Sequence, residues 1–171
     1  MSITHRLSQQ RAFSLIEAMV ALIVFAIGMI GIARMLLMSH HSHASSYLRQ
    51  QAIQHGYDII DRIRANRNAA LNGNYSVSNI VSSGAPTLPN APSNKCSSTA
   101  CSTTELATFD TWDWLTNSVA KLPNGAGSIT TTTSGANTVI TVTVQWSDTP
   151  AQQALGTATP APSQLTIQTQ L

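Results

Sequence analysis

The 171-residue chain is expected to fold as an α+β protein. A long N-terminal α-helix with a transmembrane first half should pack on a small antiparallel β-sheet head that carries a second helix. Three observations predict this. Residues 12–33, AFSLIEAMVALIVFAIGMIGIA, are apolar apart from Glu17, and no proline occurs from Met1 to Val81. Beyond them, apolar residues recur at helical spacing on one face. Near the C-terminus, two segments alternate apolar and polar residues, the period of a half-buried strand.

The composition agrees. Charged residues are 9% of the chain, against about 25% in an ordinary soluble domain. Residues 1–67 hold seven of the nine Lys and Arg and three of the seven acids. The remainder is nearly uncharged, with a surface of Ser, Thr, Asn and Gln. A net charge of +2 gives no broad basic face, so direct nucleic-acid binding is not expected.

The first element is the apolar helix. Phe13–Ala33 is 21 residues long, and about 20 residues cross a hydrocarbon core of ~30 Å. Arg6 and Arg11 on its N-terminal flank place that flank in the cytoplasm. Three readings compete. A secretory signal peptide would be cut after Gly31-Ile32-Ala33, but its apolar core should span about 7–15 residues. A plain single-pass anchor explains the length and flanks, not Glu17. The third gives Glu17 a role, because a carboxylate in an apolar helix costs a few kcal/mol and must be protonated, snorkel or meet a cation.

Arg11-Ala12-Phe13-Ser14-Leu15-Ile16-Glu17, followed by a long aliphatic helix, resembles the class III leader of type IV prepilins. The resemblance implies that prepilin peptidase cuts between Ala12 and Phe13 and N-methylates Phe13. It also implies that Glu17 pairs with a neighbouring subunit's terminal amine during assembly. The family has Gly just before the cut, where this chain has Ala12. A buried ammonium and a buried carboxylate each cost several kcal/mol alone and offset that only in a well-matched contact. Such a pair acts as a register lock between subunits.

After Arg34 the helix should continue to about Leu71, roughly 85 Å in all at ~1.5 Å per residue. Leu48, Ala52, Gly56, Ile59 and Ile63 form its apolar stripe, widened by Ile53 and Ile60. Asp58 and Arg62 stand four apart in the favoured acid-first order. Asn72-Gly73-Asn74 is the stop. Gly28 and Gly31 permit close helix approach or a local weak point. His40, His41, His43 and His55 lack Cys or carboxylate partners at ligand spacing, so no metal site and no cofactor is expected. Asp61-Arg62-Ile63-Arg64-Ala65-Asn66-Arg67 and then Gly73-Asn74-Tyr75 are similar to a DRxRANR…GxY signature of PilV-type minor pilins. The arginines there are either a solvated helix end or a partner contact.

Residues 76–103 are expected to be loop. Cys96 and Cys101 are the only cysteines. Their spacing does not suit a zinc knuckle, and an exported pair meets an oxidising compartment, so a disulfide is expected. Ser102-Thr103-Thr104-Glu105 is a capping box. It opens a helix whose apolar face is Phe109, Trp112, Leu115, Val119 and Leu122, ended by Pro123-Asn124-Gly125. That segment resembles the ExAxxDxxxWxxxLPxG region of PilV-like heads. A short strand at Ile129 follows, then Thr138–Trp146 with Ile140, Val142, Val144 and Trp146 inward, then Leu165–Leu171. One wet face implies an antiparallel sheet.

The expected organisation is leader 1–12, transmembrane or filament-core helix 13–38, amphipathic outer helix 39–72 and periplasmic head 73–171. The resemblance implies a non-catalytic minor pilin of a type IV pilus that helps prime assembly at the tip. Its partners would be prepilin peptidase, other minor pilins, the major pilin, a tip adhesin and the inner membrane. The alternative is a minor pseudopilin of a type II secretion system. A membrane-tethered enzyme or binding module would need a polar pocket or catalytic motif, and no GxSxG, HExxH, P-loop or Rossmann fingerprint occurs.

Overall fold

A computed structural model describes residues 14–82, 85–96, 99–135, 137–148 and 161–171. It divides into two units, residues 1–40 and 41–171. The first unit is the N-terminal part of helix α1, Leu15–Ala65. Every residue from Ser14 to His40 is exposed. The helix is apolar all round here, with Leu15, Ile16, Val20, Phe25, Ile30 and Leu37 all open. Such a surface is covered only by lipid or by other apolar helices.

In the second unit, the rest of α1 lies against a four-stranded antiparallel sheet in the order β1-β2-β3-β4. The strands are β1 (Val77–Ser78), β2 (Ala126–Ser134), β3 (Asn137–Trp146) and β4 (Ser163–Gln170). Ala52, Gly56, Ile59, Ile60 and Ile63 are buried as expected, with Leu48 packed against the core. Ile53 is not part of the stripe and remains 36% exposed. It stands one position past Ala52, so the helical turn carries it off the sheet-facing side.

The helix also stops short of Leu71. Asn66 leaves helical geometry at φ −112°, ψ 52°, and a short helix α2, Arg67–Leu71, restarts behind it. The cause is the Asn66 side chain. Its amide donates to the Thr103 carbonyl at 2.7 Å and to the Tyr75 hydroxyl at 3.2 Å. An Asn that bonds elsewhere gives up helix geometry readily.

The capping box at Ser102 and Glu105 opens α3, Thr103–Asp113. Glu105 accepts from the Ser102 backbone and hydroxyl, both at 2.8 Å, which holds its carboxyl below the ordinary range. Beyond α3 the chain runs as a π-helical turn, Trp114–Ser118, then a 3₁₀ turn, Val119–Lys121. A π turn takes an extra residue and rotates the residues after it about the helix axis. The core face is Ala107, Trp114, Leu115, Val119 and Leu122; Ala107, Thr111 and Trp114 stand at ordinary helical spacing, so this face is already set within α3, ahead of the π turn. Phe109 and Trp112, expected inside, are half-buried and contact each other with ring centroids 5.9 Å apart.

Strand β2 is longer than the sequence suggested and begins at Ala126. Gly127 explains the extension. A Cβ there would come within 2.5 Å of the Trp114 ring, so the ring can lie on the strand only because position 127 has no side chain. Strand β3 buries Ile140, Val142, Val144 and Trp146 as its alternation predicted. Gln145, expected on the wet face, is 2% exposed. Its amide donates to the Val81 carbonyl at 3.0 Å, and its carbonyl accepts from the Val81 amide at 3.3 Å, tying down the segment after β1. Strand β1, which the sequence did not suggest, is two residues paired to Ile129 and Ser128.

Candidate functional site

Two groups of residues were singled out by the sequence, and each sits in a different unit. Glu17 lies in the first turn of α1. Its backbone amide donates to the Ser14 carbonyl at 3.0 Å, so its backbone is already helical. A carboxylate in a first turn suits the positive end of the helix dipole. Ala12 and Phe13, expected at the cut, lie outside the described residues. α1 is long and apolar enough to cross a membrane.

The second group is the DRxRANR…GxY segment. Arg62 reaches into a cluster of three carboxylates. Its guanidinium lies 2.8 Å from Asp113, 3.1 Å from Asp58 and 3.7 Å from Asp110. Tyr75 is 0% exposed. Its hydroxyl donates to Asp110 at 2.8 Å and accepts from the Asn66 amide. One connected network therefore joins α1, the Asn66 turn, the Tyr75 segment ahead of β1, and α3. Its purpose is mechanical, because each group is a tether between elements far apart in sequence. Arg62 is thus no freely solvated helix end, since its guanidinium is bound within the chain. Arg64 bonds Asp61 at 3.7 Å and Thr169 at 2.7 Å.

The electrostatics come from burial and bonding. Burial pushes the Asp110 carboxyl above its ordinary range, against the pull of Tyr75 and Arg62. Burial acts on Asp113 as well, but hydrogen bonds from Asn117 and Arg62 outweigh it and hold that carboxyl low. Burial and the bond to Asp110 raise the Tyr75 phenol well above its usual value. Replacing Tyr75 by Phe is expected to cost about 2 kcal/mol, because Asp110 loses a donor in a buried setting. For a chain of this size that lowers the melting temperature by roughly 4–8 °C, measurable by circular dichroism of the detergent-solubilised protein.

His55 adds a pH dependence. Its carbonyl accepts from the Trp114 indole at 2.9 Å. Burial first, then Lys121, lowers its imidazole from 6.5, against the smaller pull of Asp58. A depressed folded-state value means that the stability is present above the unfolded value and is lost as pH falls through the folded one. The melting temperature should therefore fall as pH drops from about 7.5 towards about 5.5. His55→Gln should flatten that slope, and an unchanged slope would remove His55 as its cause.

Cys96 and Cys101 form a disulfide with Cα atoms 5.6 Å apart. It closes a loop of separation 5 just before the α3 cap. His40 and His43 are exposed and His41 is half-buried. Among the described residues no group of three or more His, Cys, Asp or Glu could hold a metal ion. The sequence missed Asp110, Asp113 and Gln145 as partners. Only the four-residue spacing of Asp58 and Arg62 hinted at the network.

Residues 7–33 match the prokaryotic N-terminal methylation motif. Behind it, residues 35–112 match the family described as type IV pilin Tt1218. No curated protein and no solved structure matches the chain. The chain thus carries a class III prepilin leader followed by a type IV pilin region, and its apolar helix fits a membrane-anchored pilin-like subunit. Pilins are generally structural, non-catalytic proteins. The pilin match spans Asp58, Arg62, Asn66, Tyr75 and Asp110, so most of the network falls inside it.

Proposed function

We propose that this chain is a minor pilin of a type IV pilus, a non-catalytic subunit that helps prime assembly at the tip. The observation that carries the pilin reading is Glu17, the only charge between Arg11 and Arg34, four residues after Phe13; the likeness of Asp61–Arg67 and Gly73-Asn74-Tyr75 to PilV-type minor pilins favours the pilus over a secretion pseudopilin. Prepilin peptidase removes residues 1–12 on the cytoplasmic side and methylates Phe13. The exposed ammonium of Phe13 and the Glu17 carboxylate of an adjoining subunit then satisfy each other inside an apolar helical bundle. The head waits on the periplasmic side of the inner membrane and leaves with the fibre. Its contacts there are other minor pilins, the major pilin and a tip adhesin.

The test is intact-mass and N-terminal peptide analysis of the membrane-extracted chain and of sheared surface fibres. The expected species begins at Phe13, carries one methyl group and is present in the fibres. A chain beginning at Met1 or Arg34, or one found only with secretion pseudopilins, would overturn the proposal.

A further inference from the structure

The sheet has two edges, and they are finished differently. At the β1 edge the strand is only two residues long. The Asn79 side chain continues the ladder by accepting from the Gly127 amide at 2.7 Å, and Gln145 clamps Val81. Over Gly127–Ile129 that edge is covered; beyond it, Thr130–Ser134 of β2 have no strand partner on this side among the described residues, but they present only Thr and Ser, with no apolar side chain left to cover. Strand β4 is the opposite case. Its eight residues, SQLTIQTQ, include no charge, proline or glycine, the residues that normally blunt an edge.

The register shows which backbone groups are open. Leu171 donates its amide to the Thr138 carbonyl at 3.0 Å, and Thr169, Ile167 and Leu165 stand opposite Ile140, Val142 and Val144. Antiparallel alternation turns the backbone groups of those β4 residues towards β3. It turns those of Gln164, Thr166, Gln168 and Gln170 outward, and all four residues are exposed. A second observation points the same way. Leu165, Ile167 and Leu171 face the core yet are only partly buried, whereas Ile140, Val142 and Val144 on the neighbouring strand are 0–1% exposed. Among the described residues nothing completes the core layer along this edge.

We infer that β4 is an acceptor edge for strand addition by another subunit of the assembly. The inference rests on the pilin proposal for the identity of the partner. The occupant is an extended, uncharged segment of about seven residues, alternating apolar and neutral polar side chains. Its backbone pairs with Gln164, Thr166, Gln168 and Gln170. Its apolar residues cover Leu165 and Ile167, and its polar residues join the Thr and Gln of the wet face. Main-chain bonds give affinity and the alternate side chains give selectivity. A charged strand is disfavoured because β4 has no counter-charge.

The test uses the full-length chain in cells that assemble fibres, with a photo-crosslinking residue at Gln168. The expected product links Gln168 to an alternating apolar and neutral segment of another fibre subunit. Thr166→Pro removes an outward N–H that the fold does not use, and Thr166→Lys places a charge on the edge. Either should lower the crosslink roughly tenfold or more, while circular dichroism and melting of the purified chain stay at wild-type values for at least the Lys variant. Crosslinks to residues 163–170 of a second copy would overturn the inference. So would crosslinking that survives both substitutions. A wild-type chain that is leader-cut and present in fibres, yet unlinked from Gln168, defeats the edge alone. A chain never cut at Phe13 defeats the pilin proposal, and the edge with it.

Discussion

Glu17→Gln is expected to leave the chain in the membrane while its incorporation into fibres collapses. Gln keeps the shape of Glu and one acceptor oxygen, and replaces the charge and the other acceptor by a neutral NH2 donor. Insertion should be easier, since an ionised carboxylate in a membrane helix carries a cost of up to about 3 kcal/mol. Assembly should suffer, because the Phe13 ammonium then enters an apolar bundle with no counter-charge. Removing one partner of a buried pair costs about 3–5 kcal/mol. At about 1.4 kcal/mol per tenfold, that is on the order of 100- to 4,000-fold in the docking equilibrium. The measurement is the ratio of chain in sheared fibres to chain in membranes, by quantitative blotting. Incorporation at the wild-type level would show that the carboxylate does not pair with the new terminus. Because the whole first unit exposes apolar side chains, almost any register buries some of them. The charge pair is what distinguishes one register from the next.

Gly125→Ala is expected to be the most damaging single change in the head. A Cβ at position 125 would stand 1.9 Å from the Val119 carbonyl oxygen, 2.9 Å from its carbon and 3.0 Å from the Leu122 oxygen. These are backbone atoms held in the turn itself, since Leu122 donates to Val119 and Gly125 donates to Leu122. No rotamer relieves the overlap, so the turn must open. Opening it releases Val119 and Leu122, both core residues, and disturbs β2, which starts at the next position. We expect a loss of about 3 kcal/mol, the upper end of overpacking effects, and a melting temperature roughly 6–12 °C lower. Thermal circular dichroism in detergent decides it. A change within about 1 °C would mean that the turn has room the geometry does not show.

Gly125 also marks where sequence reasoning stops. Pro123-Asn124-Gly125 identified the end of a helix correctly. Nothing local said that the 3₁₀ turn Val119–Lys121 would bring the Val119 carbonyl onto position 125. The same holds for Trp112 and Trp114. The expected stripe put Trp112 in the core, and packing instead turned the face of Ala107, Thr111 and Trp114 inward. At Asn66 the helix pattern was sound, and a side chain bonded across to Tyr75 and Thr103 interrupted it.

The chain's own residues determined the apolar helix, its lone acid, the capping box and the strand faces of β3 and β4. Those features depend on periods of about 3.6 and 2 and on chemistry between near neighbours, all written in order along the sequence. The ion cluster around Arg62, the clamp of Gln145 on Val81 and the open edge of β4 were decided by the tertiary structure alone. The first two join residues far apart in sequence, Arg62 to Asp113 and Gln145 to Val81, and the third depends on which strand lies outermost among the described residues. No local period encodes such a meeting, because it exists only once packing has chosen which surfaces face each other.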